Sequence, residues 1–491
     1  MRCRPGASDI NRHAPDDVLL VIFRHHVYDA PPAEERQRAW QSLVHVCRRW
    51  RSIVFGSPRH LDLQLVCTEK THVRDKLDVW PNLPLSLSYD GKIYVHTTGS
   101  LDNIIAGLER TDRVHRISFI DLLDLDLEDV LATMRKPFPN LAHLELLRTD
   151  SGVYELSFYV SEDFFDPIVD PVVPDLFLGE SAPRLRHLAL LGISFPALPK
   201  LLLSATHLEN LYLENIPHSG YYPPDVMVTV LTMLTSLNIL MLGFEFSQSF
   251  PDRASRRPPP STRSVLPVLT VFSFKGVSEY LEDLVAGIDA PQMERLFATF
   301  FNDVLFDPPQ FMQFISRTPM SRTLEEAHFT LEDDIAGVTF LSRTPVYRRI
   351  DVKTLCTGLD GQVSSLEQVF TVFLPRLSTL EALYIYKRPN SQLDLKVKIE
   401  NGLWLELLYL FSAVKNLYVS EEVASPIALV LKELAVGRTT EVLPALQNIF
   451  LEGLDSSGPV EEGTGQFVTA RQVAGHPIAI SPWTNSEQDK E

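Results

Sequence analysis

The sequence predicts an α/β repeat protein: a small helical head followed by a curved parallel sheet with helical or irregular return segments. Three observations carry that expectation. Residues 9–57 show apolar residues at helical spacing, between a Pro-Asp-Asp entry and a Gly-Ser-Pro stop. From Val114 to Leu451 a short motif recurs, with apolar residues at its first, fourth and sixth positions. The segments between copies are themselves apolar, as in Phe195–Leu203 and Val226–Leu234. A single strand with its return cannot cover its own apolar face, whereas stacked copies can.

In the head, Pro15 suits a first helical turn, and Asp16 and Asp17 favour the positive end of the helix dipole. Val18 to Phe23 is apolar without a break, so this helix needs cover on every side. A second helical pattern begins near Glu34, with Trp40, Leu43, Val44, Cys47, Trp50 and Val54 on one face. Val46 and Ile53 flank that face, and Arg48, Arg49 and Arg51 are expected in solvent.

The repeat copies are Val114-Ile117-Phe119, Leu141-Leu144-Leu146, Leu185-Leu188-Leu190, Leu208-Leu211-Leu213, Leu237-Leu240-Leu242 and Leu269-Phe272-Phe274. After a degenerate Met293-Leu296-Ala298 come Leu324-Ala327-Phe329, Tyr347-Ile350-Val352, Leu380-Leu383-Ile385, Val414-Leu417-Val419 and Leu446-Ile449-Leu451. Val114 to Leu446 is 332 residues in eleven steps, about thirty per step. The last two apolar positions alternate along a strand, the first lies on the entry turn, and all three point inward. Side chains between them face outward, which nominates Glu145, Tyr212, Met241 and Tyr384 for contact with a target. The expected divisions are a disordered 1–8, a head at 9–57, a linker and first capping repeat at 58–107, repeats at 108–454 and a disordered tail at 455–491. An insertion around Phe158–Pro174 and a proline-rich exposed loop at Pro251–Ser264 interrupt the period.

Composition narrows the partners. The chain has 491 residues, 45% hydrophobic, with 45 Lys and Arg against 63 Asp and Glu, a net charge of −18. Such a surface repels phosphate backbones, so nucleic acid is not an expected partner. Cys3, Cys47, Cys67 and Cys356 lack paired or metal-type spacing, which points to a reducing compartment and away from a structural zinc site. No apolar run reaches membrane-spanning length, so the expectation is the cytosol or nucleus with no membrane partner.

The head resembles an F-box, the helical module that binds the Skp-type adaptor of cullin-RING ubiquitin ligases. The residues carrying the resemblance are Ala14-Pro15-Asp16-Asp17-Val18-Leu19-Leu20-Val21-Ile22-Phe23, Trp40–Leu43 and Val46-Cys47-Arg48-Arg49-Trp50-Arg51. The segments from Ser57 to Leu63 and from Trp80 to Leu85 look like the linking region of fungal F-box proteins with irregular leucine-rich repeats. The resemblance implies a three-helix F-box followed by a leucine-rich-repeat solenoid, acting as the substrate-recognition adaptor of an SCF-type ligase. It implies adaptor contacts from Pro15, Leu19, Ile22 and Phe23, then Val46, Cys47 and Trp50, with cullin reached through the adaptor. The chain departs from the family at Ala14, where Leu is usual, a loss of about 1–3 kcal/mol of apolar contact. The alternative reading is a repeat scaffold for protein interaction, outside any ligase, with an F-box-like head.

Catalytic motifs are absent from the sequence: there is no phosphate-cradling Gly-rich loop with Lys, no His-Glu-x-x-His and no Gly-x-Ser-x-Gly. Adjacent His25 and His26 point about 100° apart on a helix and share no face. The acidic run Asp121–Asp129 lacks the glycine of a calcium loop. The expectation is therefore a non-enzyme with no cofactor and no metal.

Overall fold

A computed structural model describes residues 14–29, 33–91, 101–121, 124–148, 171–245, 262–301, 309–322, 324–342, 347–356, 361–367, 369, 379–388, 401–437, 439–453 and 459–484. The expected N-terminal segment 1–8, most of the 158–174 insertion and residues 251–261 of the proline-rich loop lie outside them. The chain forms two compact units, Met1–Leu208 and Glu209–Glu491.

The first unit opens with three helices, α1 (Asp16–Tyr28), α2 (Ala33–Val44) and α3 (Arg48–Gly56). Asp16 and Asp17 occupy the first turn of α1, and His25 and His26 the last, both favourable to the helix dipole. The single helix expected from Glu34 to Val54 is broken at Cys47. Its backbone is extended, at φ −160°, and its Sγ accepts the Trp50 amide at 3.5 Å as an N-cap. Leu19, Phe23 and Val27 of α1 are buried with Trp40, Leu43 and Val44 of α2 and Val54 of α3. The Phe23 and Trp50 rings lie 4.6 Å apart, and Trp40 meets Trp80 edge-on at 5.1 Å.

Five parallel strands follow: β1 (Leu65–Cys67), β2 (Leu85–Asp90), β3 (Val114–Ile120), β4 (His143–Leu147) and β5 (His187–Leu191). Ile117, Leu144 and Leu188 stand in register, as do Phe119, Leu146 and Leu190, and all six are buried. Each such side chain contributes about 1.5–3 kcal/mol by leaving water. The Gln37 side-chain oxygen accepts the Val66 amide, so α2 covers the free edge of β1.

In the second unit, β6 (Asn210–Ile216), β7 (Ile239–Phe244), β8 (Val271–Gly276) and β9 (Arg295–Phe300) continue the parallel pattern. The pattern then departs from expectation. Strands β10 (Glu326–Leu331), β11 (Ile335–Ser342) and β12 (Arg348–Leu355) form an antiparallel meander, and β9 pairs with β12 rather than with β10. The cause is the short Glu332-Asp333-Asp334 link, closed by the Glu332 amide donating to the Ile335 carbonyl at 2.9 Å. A link that short joins only antiparallel strands. Tyr347, expected to point inward, precedes β12 and is 50% exposed.

Parallel order resumes from β10 through β13 (Ala382–Lys387), β14 (Asn416–Val419) and β15 (Asn448–Glu452). The tail expected to be disordered instead forms α4 (Pro459–Val473) and β16 (Ala479–Trp483), the latter pairing with β15. Arg471 organises it. Fully buried, its guanidinium donates to the carbonyls of Thr439, Leu443, Pro444 and Leu446 at 3.0–3.3 Å. Pro482 has no N–H to offer, which blunts β16 as an edge strand.

Candidate functional site

The head carries an apolar ridge that its own helices leave open. Val18, Val21 and Ile22 of α1 are 46%, 53% and 51% exposed, and Val46, in the turn before α3, is 53% exposed. Positions 18, 21 and 22 follow the i, i+3, i+4 rule, so they share one helical face. Pro15 is exposed at the start of α1. Of the residues the resemblance nominated, Pro15, Ile22 and Val46 therefore face solvent. Leu19 and Phe23 do not: they are 1% and 0% exposed, because α1 turns that side into the core it shares with Trp50. Trp50 is half-buried against Phe23, and Cys47 serves as the N-cap of α3. Arg49 ties the helices together through Asp16 and the Ala14 carbonyl, both at 2.6 Å.

In the first unit, the open sheet face gathers a polar cluster around Glu145. His143 Nε2 lies 2.8 Å and His187 Nε2 3.3 Å from Glu145 Oε1, and Ser118 Oγ donates to Oε2 at 2.6 Å. Arg116 comes within 3.5 Å of the same Oε2. The two imidazoles stack at 4.0 Å, 8° from parallel. Burial alone would raise the Glu145 pKa, but hydrogen bonds from His143, His187 and Ser118 outweigh it and hold the carboxyl far below the usual carboxylate range. Burial lowers the His143 pKa, against the opposing pull of Glu145. Sequence reasoning nominated Glu145 and missed both histidines. The available signal was positional: His143 and His187 occupy the same place in successive copies, each just before the second apolar residue.

In the second unit, the same outward position holds an aromatic ladder. His328, Tyr384, Tyr418 and Phe450 stand in one register across β10, β13, β14 and β15. Their rings stack at 4.2, 4.2 and 4.4 Å, all within 7° of parallel. Trp483 of β16 lies against Tyr418 at 5.6 Å and Tyr384 at 6.0 Å. Tyr212 and Met241 are paired in register on β6 and β7 and are half-buried. Of the four residues nominated by alternation, Tyr384 is thus part of a continuous platform, while His328, Tyr418, Phe450 and Trp483 were missed. Among the described residues, no helix is long and apolar enough to cross a membrane.

No family model matches the sequence, and no curated protein matches it. Solved structures similar to the chain include these two. One is the leucine-rich-repeat-containing protein LegL7 from Legionella pneumophila, at 12% identity and TM-score 0.26, with 82% of this chain and 97% of that one covered. The other is the TLR13–ssRNA13 complex, at 12% identity and TM-score 0.28, with 86% of this chain and 49% of that one covered. The chain therefore spans about half the length of the second. The leucine-rich-repeat architecture rests on the strand register itself: buried apolar pairs in parallel strands, one copy stacked on the next.

Proposed function

We propose that this chain is a recognition adaptor, docking through its head on a Skp-type adaptor of a cullin-RING ubiquitin ligase and holding a protein target on the open face of its repeats. The observation that carries this reading is the solvent-facing ridge of Pro15, Val18, Val21, Ile22 and Val46 on a head whose core is already filled. Three neighbouring apolar side chains about half exposed on one helix form the kind of patch that marks an interaction surface. In the resemblance described above, the same segment meets the adaptor. Ile22 and Val46 keep the role the resemblance gives them, and Val18 and Val21 replace Leu19 and Phe23 in the ridge. The aromatic ladder is the target-facing surface this reading favours, since the partly exposed stacked rings of Tyr384, Tyr418 and Phe450, backed by buried His328, bury large area at low entropic cost.

The test is co-purification of ligase subunits with the full chain and with a Val18→Asp, Ile22→Asp variant. Wild type carries a Skp-type adaptor and cullin, and the variant loses both while staying folded by circular dichroism. A folded wild-type chain that captures neither removes the ligase role. Retention of a target by a chain that never binds ligase subunits favours the second reading, a repeat scaffold with an F-box-like head. The ladder is independent of the head and would serve that role equally.

A further inference from the structure

We propose that His143, Glu145 and His187 form a binding site for a divalent transition-metal ion of the zinc class, with a position left open to water or to a partner's side chain. His143 and Glu145 are two apart on β4 and so share a face, and His187 stands beside His143 on β5. One ligand atom from each residue lies within 4.8 Å of the other two. Ligand atoms about 2.0–2.1 Å from a tetrahedral ion are roughly 3.3 Å apart. The 3.3 Å and 2.8 Å separations of the two Nε2 atoms from Oε1 are within about half an ångström of that edge. The near-parallel imidazoles must tilt toward each other to close on an ion, a motion that the broad χ2 torsion of histidine supplies. Ala189 faces Glu145 across the strand pair and, being small, leaves room for it.

The donor set agrees with the geometry. Two imidazoles and one carboxylate suit zinc, copper, nickel or cobalt better than calcium or magnesium, which prefer all-oxygen sets. Ser118 secures Oε2, turning Oε1 toward the rings in the way outer-shell hydrogen bonds orient metal ligands. Arg116, 3.5 Å from Oε2, opposes a cation and sets a limit on affinity. His143 and Arg116 also line a cavity of about 140 Å³ bounded by Arg36, Gln37 and Trp40 of α2, with room for a water ligand.

The test uses the full chain, freed of metal by a chelator and dialysed, then titrated with Co²⁺ alone and with Zn²⁺ alone. The expected result is one saturable equivalent, a visible Co²⁺ spectrum of four- or five-coordinate type abolished by Zn²⁺, and a higher urea midpoint with Zn²⁺ present. His187→Ala and Glu145→Gln weaken binding by at least about tenfold and lose the midpoint shift. Ser118→Ala weakens it by about tenfold as an orienting residue, and His207→Ala on the exposed surface leaves it unchanged. The metal-free midpoints of all variants establish folding independently. Absence of a saturable equivalent, or wild-type binding by both ligand variants, overturns the proposal.

Discussion

Replacing Phe23 with alanine separates a core residue from a contact residue on one helix. Phe23 is 0% exposed, and its ring is 4.6 Å from that of Trp50. Truncating a fully buried phenylalanine costs about 3–5 kcal/mol, from lost transfer energy and the cavity left behind. At about 1.4 kcal/mol per factor of ten, the open population of the head rises by roughly two to three and a half powers of ten. Ile22, its neighbour, is 51% exposed, so Ile22→Asp shifts stability by only about 0.5 kcal/mol or less. Hydrogen exchange on peptides from the three helices reads local opening directly, with the repeat strands as an internal reference. Phe23→Ala should lose protection across α1 and α3, while Ile22→Asp keeps it and still fails to capture the Skp-type adaptor. A Phe23→Ala chain that exchanges like wild type yet loses capture would place the ring at the interface and refute the assignment.

Further outcomes follow from the repeats. Tyr418→Ala removes stacked contacts with Tyr384 at 4.2 Å and Phe450 at 4.4 Å, and should lower stability by about 1–3 kcal/mol in urea unfolding. Tyr418→Phe keeps the rings and should change it by about 0.5 kcal/mol or less. Acidification should destabilise the metal-free chain through two groups acting in the same direction. The lowered Glu145 pKa gives stability that is full above the unfolded value of about 4.3 and is lost as pH falls below it. The lowered His143 pKa favours the neutral folded state, so its contribution declines as pH falls below about 6.5 and the unfolded chain takes up the proton. Unfolding free energy between pH 7.5 and 4 should therefore fall more steeply in wild type than in a His143→Asn, Glu145→Gln variant; equal slopes would contradict the cluster. Burial pushes the Cys67 thiol up to about 11, so maleimide at pH 8 should spare Cys67 and buried Cys356 in the native chain while labelling half-exposed Cys47. Peptide mass spectrometry before and after denaturation checks this.

What the sequence revealed depended on whether a signal was periodic. Buried leucines recur at fixed places in each copy, so the alternation that nominated Glu145, Tyr212, Met241 and Tyr384 put all four on the open face. The ladder needed one more step. Parallel stacking sets equivalent positions side by side, and His328, Tyr384, Tyr418 and Phe450 all fall between the second and third apolar residues of their copies. The same reasoning joins His143 to His187, 44 residues apart in the chain but adjacent across a strand pair.

Non-periodic features were hidden for physical reasons. Arg471 reads as a solvated charge because nothing local announces four backbone carbonyls waiting for its guanidinium, and without it α4 looks like the middle of a polar tail. The antiparallel β11 follows from the length of one turn, which an apolar triplet search does not weigh. In α1, an unbroken apolar run tells that one side lacks cover but not which side. Leu19 and Val18 are one residue apart, hence about 100° apart on the helix. Their fates are decided by where Trp50 lies, and Trp50 is placed by the Cys47 cap that ends one helix and begins the next. The rotation of α1 is therefore a tertiary property. A substitution that destroys the Cys47 cap should alter the ridge without touching any residue in it.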